Sequence, residues 1–216
     1  MLGGNARATE EIMLDHWLWE LTTVGPYPIP WTLTGQEIID ASDPNIGTVY
    51  CWIHEPLAEF PLRACLEHGY ADNAIIVADP GRIVDGQVIV AGLGKRFTAI
   101  PADRYALGWA RRSLQKGIPV ICLADAQIGG KLYPFVLQLA ERVGARVVFQ
   151  WAKRRPNGVI DVTFINAPQP YCQDDAAVHE NLAFLEAAQK RALEALGIKE
   201  QPVTSAATPE QSLPQT

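Results

Sequence analysis

Long apolar runs are missing from this chain of 216 residues: no stretch reaches the roughly 18–20 uninterrupted apolar residues that a bilayer-spanning helix needs. The first twenty residues carry Arg7 and several acids without a long apolar run, so no secretory signal is expected. Cysteine is scarce, at Cys51, Cys65, Cys122 and Cys172, and no two form a CxxC pair. That argues against a zinc ribbon or a disulfide framework and leaves reduced, buried thiols in a cytoplasmic protein. Positive charge is in deficit. The 18 Lys+Arg against 24 Asp+Glu leave a formal net charge of −6, which supplies no cationic footprint for general nucleic-acid binding. No Gly-x-Ser-x-Gly elbow is present, which counts against an α/β-hydrolase nucleophile.

What is present is a globular composition: 48% hydrophobic and 19% charged residues exclude disorder of the whole chain. Three segments follow. Residues 1–30 form an aromatic-rich arm, with Trp17, Leu18, Trp19 and Leu21 ahead of a proline-broken run ending at Trp31. Such an arm packs on the domain or meets acyl chains and lipid. Residues 31–198 form the main domain. Residues 199–216 are rich in Pro, Gln, Ser and Thr and read as a disordered tail.

Within the domain, strand signals fall at 31–34, 47–53, 73–78, 87–91, 118–124, 145–151 and 159–165. Helix signals fall at 56–66, 103–116, 134–143 and 175–196, with Gly117, Gly144 and Gly197 just past three of them. The alternation predicts an α/β fold with a largely parallel or mixed central sheet flanked by helices. Sites in such folds lie where strands end and helices begin.

Three strand ends carry chemistry. His54 follows the apolar run ending at Ile53, and Glu59 stands five positions on. A helix starting at residue 55 or 56 can bring that carboxylate back toward the imidazole. A carboxylate on one ring nitrogen raises the basicity of the other and makes a general base. Lys95 and Arg96 end a glycine-rich segment that matches neither a P-loop nor a dinucleotide fingerprint. They read either as a solvated turn or as a clamp for a phosphate or carboxylate. Asp125 closes the third strand, either as a turn former or as a site residue.

In chain order, these features are His54-x4-Glu59, a basic residue near Arg96, the run Leu114 to Asp125, the run Leu139 to Ala145, and Arg154-Arg-Pro-Asn-Gly158. Together they resemble the lipid A biosynthesis acyltransferase family (lauroyl and myristoyl transferases), within the lysophospholipid acyltransferase-like superfamily. The likeness spans roughly residues 30 to 196 and includes Gly35 to Asp40. It implies transfer of a fatty acyl group from an acyl-CoA or acyl-carrier-protein thioester to a hydroxyl of a lipid or other acceptor. His54 would be the base and Glu59 its orienting partner. Arg96, with Lys95 as its competitor, would hold a phosphate of either substrate. Asp125 would stand in the supporting, substrate-binding shell. No cofactor and no metal are implied beyond the acyl donor, and the setting is cytoplasmic or peripheral at the inner membrane.

The chain departs from lipid A acyltransferases in three ways. It lacks their anchoring helix, it places Glu55-Pro-Leu-Ala between His and acid, and it lacks their Trp- and basic-rich C-terminal segment. These differences point to another acceptor. The alternative is a non-catalytic relative that binds acyl chains or an acyl carrier. A Cys–His enzyme is disfavoured, because Cys51 and His54, three apart at a strand end, tend to face opposite ways.

Overall fold

A computed structural model describes residues 10, 13–14, 29–41, 43, 45–55, 57–58, 60–67, 74–77, 83–89, 96–126 and 128–196. The aromatic arm, apart from a few residues, and the 199–216 tail lie outside them. Among the described residues nine strands run in chain order: β1 (Trp31–Thr34), β2 (Thr48–Trp52), β3 (Ala74–Val77), β4 (Ile83–Val84), β5 (Gln87–Ile89), β6 (Arg96–Pro101), β7 (Val120–Leu123), β8 (Arg146–Arg154) and β9 (Ile160–Tyr171). The helices are α1 (Gln36–Asp40), α2 (Phe60–Glu67), α3 (Ala106–Leu114), α4 (Phe135–Val143) and α5 (Asp175–Ala195).

The strands form one mixed sheet in the order β1-β9-β8-β2-β7-β3-β6-β5-β4. Its centre, β8-β2-β7-β3-β6, is parallel throughout. Antiparallel pairs lie on both sides, β8 with β9 and β6 with β5. The central strands are apolar because both their faces are covered; β2 is buried at every position. One face packs Tyr50, Val148 and Phe164 against Ile39 of α1 and Leu62 and Cys65 of α2. The other packs Val49, Val147 and Phe149 against α3, α4 and α5.

The order of connections positions the site. β2 leads through α2 to β3, on the far side of β7. β7 leads through α4 to β8, on the far side of β2. The chain therefore leaves β2 and β7, which are neighbours, toward opposite faces of the sheet. Such a reversal opens a crevice at the strands' C-terminal edge, where α/β sheets bind ligands.

Most of the expected elements form within a few residues of their sequence-based bounds. Helix α2 starts late, at Phe60, after a turn in which the Phe60 amide donates to the Leu57 carbonyl. Three elements were not expected: β4, β6 and α1. Strand β6 forms because Phe97 and Ile100 bury against the sheet beside β3. Strands β4 and β5 meet at Asp85-Gly86, both with positive φ (51° and 73°), the conformation of a tight hairpin turn. Helix α1 follows Gly35, whose φ of 85° and close approach to the Phe164 carbonyl admit no side chain. Among the described residues, no helix is long and apolar enough to cross a membrane.

Candidate functional site

His54 stands two residues past β2, and Asp125 two residues past β7. The two strands pair in register through Trp52 and Leu123, so both side chains arrive at one level of the crevice. Asp125 Oδ1 accepts from the His54 backbone N–H at 2.7 Å and lies 3.0 Å from His54 Nδ1. Its other oxygen accepts from Gln189 Nε2 at 3.2 Å, and the same amide donates to the Gly130 carbonyl at 2.9 Å. The carboxylate thus ties the β2 end, the β7 end and α5 together. Its loop is fixed as well: Ala124 N–H donates to the Trp52 carbonyl, Tyr133 N–H donates to the Ala124 carbonyl, and Asp125 bridges Leu132.

Asp125 is 6% exposed, whereas the His54 side chain keeps 34% of its surface open. A buried carboxylate at Nδ1 sets the tautomer with its proton on that nitrogen. Nε2 is left as the lone-pair nitrogen, on a ring that lines the adjoining cavity. Such a nitrogen can take a proton, and the carboxylate stabilises the imidazolium that results.

The cavity has a volume of about 800 Å³ and wraps over the edge of the sheet. Leu62 and Ile121, from the core on the α2 face, line one side. Cys122 and Val136, from the core on the α4 face, line the other. His54 and Asp125 line the same cavity, together with the charged Asp103 and Arg104. Glu55 also lines the space. Burial pushes its carboxyl up to about 7, and the charge of Asp125 adds to the shift. The nearby Trp52 indole opposes it, although its N–H falls short of hydrogen-bond geometry. Glu55 is therefore a carboxylic acid able to donate a hydrogen bond below neutral pH.

The residues singled out in the sequence fall in different places. His54 and Asp125 come together, and Asp125 is the ring's direct partner rather than a distant support. Glu59 and Lys95 lie outside the described residues. Arg96 opens β6, whose C-terminal end is the one level with the crevice. Its backbone is therefore at the opposite edge of the sheet, about 16 Å away at the usual rise per residue. Among the described residues, the Lys or Arg that lines the cavity is Arg104, beyond the end of β6, with its guanidinium 4.7 Å from the Tyr105 ring centre. The Cys122 thiol and then burial raise Cys51, and burial takes Cys65 up to about 12. All four cysteines are free and buried. No described group of three or more His, Cys, Asp or Glu could hold a metal ion.

Sequence reasoning missed Glu55, Arg104 and Gln189. The first two had a usable signal, since each is a charged residue just past the end of a strand. Gln189 had none, because a polar residue on a long helix reads as solvated surface. No protein-family model matches the chain, and no curated protein shows significant similarity to it.

Proposed function

We propose that the protein is an acyltransferase that moves a fatty acyl group from a thioester, carried by coenzyme A or an acyl carrier protein, to a hydroxyl. The reading draws on the resemblance to the lipid A acyltransferase-like family. The observation that carries it is the His54–Asp125 pair lining a cavity whose walls take apolar residues from both faces of the sheet. A fatty acyl chain needs an apolar space that opens beside a base.

The steps are these. The acceptor hydroxyl oxygen attacks the thioester carbonyl carbon while His54 Nε2 takes the hydroxyl proton. Asp125 steadies the imidazolium. The tetrahedral intermediate then breaks its C–S bond, and the departing thiolate recovers the proton from His54. The acceptor oxygen is itself the nucleophile, so no serine or cysteine is required. Arg104, at the cavity, suits the phosphate-bearing arm of a donor.

Peripheral membrane contact belongs to the same proposal. Leu107, Tyr133 and Phe135 are exposed and line the cavity, and aromatic side chains suit a lipid interface. The test is thiol release from a panel of acyl-CoA and acyl-carrier-protein thioesters, beside His54→Ala. Release that depends on His54 is expected. Binding of acyl ligands with no release from any donor would favour a non-catalytic acyl-binding protein instead.

A further inference from the structure

Two carboxyls line the cavity close to His54 in different surroundings. Asp125 is met by donors on both oxygens, from the His54 backbone, the His54 ring and Gln189, and such bonds favour the ionised form. Glu55 follows His54 directly and lines the same cavity, half-buried, so part of its surface is open to what enters. The Trp52 indole, though close enough to act on it, does not reach hydrogen-bond geometry. Burial, with the charge of Asp125 adding to it, keeps the proton on Glu55 up to about pH 7. The other charged or titratable groups of the described lining are Asp103, Arg104, Cys122 and Tyr133. Asp103 accepts from the Tyr105 backbone N–H at 2.7 Å. Arg104 is exposed, and water weakens a donor there more than in the half-buried place that Glu55 holds. None of these groups stands next to His54 in the chain as Glu55 does.

We propose that Glu55 is the oxyanion donor of the site: its carboxyl O–H hydrogen-bonds the acyl carbonyl oxygen as that oxygen takes on negative charge. This rests on the acyl-transfer reading and adds a catalytic residue to the same site. As the acceptor oxygen bonds to the carbonyl carbon, one electron pair of the C=O bond moves onto the carbonyl oxygen. Glu55 keeps its proton throughout and gives only a hydrogen bond. When the C–S bond breaks, the pair returns and the carbonyl re-forms. Only the neutral acid can do this, since a carboxylate would repel the developing charge. The base and the donor are then neighbours in the chain with opposite needs: His54 must be free to take a proton, and Glu55 must hold one.

The test is the pH profile of kcat/KM for His54-dependent thiol release, with the full-length wild type, Glu55→Gln and Glu55→Ala on the same thioester panel. Circular dichroism at each pH restricts the profile to folded protein. For the wild type, kcat/KM should fall about tenfold for each pH unit above about 7. Glu55→Gln carries a donor at every pH, so this fall should vanish and the variant should outrun the wild type at pH 9. Glu55→Ala has no donor and should lie about a hundredfold below the wild type at pH 6.5, again without the fall. A wild-type profile that does not fall, the same fall in Glu55→Gln, a Glu55→Gln that is inactive throughout, or a fully active Glu55→Ala would overturn the inference and leave acyl transfer standing. No release by the wild type from any donor at any pH would overturn the acyl-transfer reading itself, and this inference with it.

Discussion

His54 is useful only as the ring that Asp125 holds, and the substitutions that separate the two are narrow. Asp125→Asn keeps an oxygen for the His54 amide but removes the charge that stabilises the imidazolium. Turnover, measured as steady-state thiol release, should fall by about 10²- to 10⁴-fold. The melting temperature, from a thermal melt, should fall as well, because the new amide NH2 faces the Gln189 donor. Arg104 is exposed and lines the cavity, so Arg104→Ala should raise KM for phosphate-bearing donors severalfold and leave kcat near wild type. Glu55 adds a pH dependence of stability. Its folded pKa, about 7, lies above the ordinary 4.5. The proton is therefore held more tightly in the folded state. The stability this confers is full below pH 4.5, declines as pH rises toward 7, and is gone above it. Across that window the loss is about 3 kcal/mol. Glu55→Gln should flatten this fall in urea titrations between pH 4.5 and 8, and leave the variant more stable than wild type at pH 8.

At the scale of elements, the long strands and helices were legible because their apolar residues repeat at the right period and glycines mark their ends. Strand β7 and helices α4 and α5 are examples, and α5 also begins at a cap, where Asp174 accepts from the Ala177 amide at 2.8 Å. Asp174→Ala should therefore cost about 1 kcal/mol in chemical denaturation. Short elements were illegible for a physical reason. Helix α1 is five residues long and exists because Gly35 turns the chain against β9. No periodicity announces a single turn. Gly35→Ala would force a left-handed alanine into the Phe164 carbonyl and should cost several kcal/mol, on the order of 3 or more; failure to fold at 37 °C would agree with this, and a near-wild-type melt would not. The site was legible only in part. His54 and Asp125 could each be found at a strand end, but 71 residues separate them. Their contact depends on β2 and β7 being neighbours, which no local pattern encodes. Spacing along the chain points to Glu59, which is near in sequence, and is silent on a partner 71 residues away.

For the whole molecule, the reversal of connections between β2 and β7 explains why one cavity has walls on both faces of the sheet. If the wall on each face of the sheet holds a different substrate, substitutions on the two faces should act on different substrates. Leu62→Trp, on the α2 face, and Val136→Trp, on the α4 face, should each raise KM for one substrate by an order of magnitude and spare the other. The aromatic residues at the mouth extend the same idea to membranes. Flotation with neutral and anionic liposomes should recover the protein, and Tyr133→Ser with Phe135→Ser should reduce the recovered fraction.

The most direct test of the central claim compares His54→Ala, Asp125→Asn and Glu59→Gln in one acyl-thioester assay. Thiol release should be abolished in the first, reduced by at least about a hundredfold in the second, and remain within a few fold of wild type in the third. Loss of activity in Glu59→Gln as deep as in His54→Ala, with Asp125→Asn near wild type, would contradict the pairing on which the proposed mechanism stands.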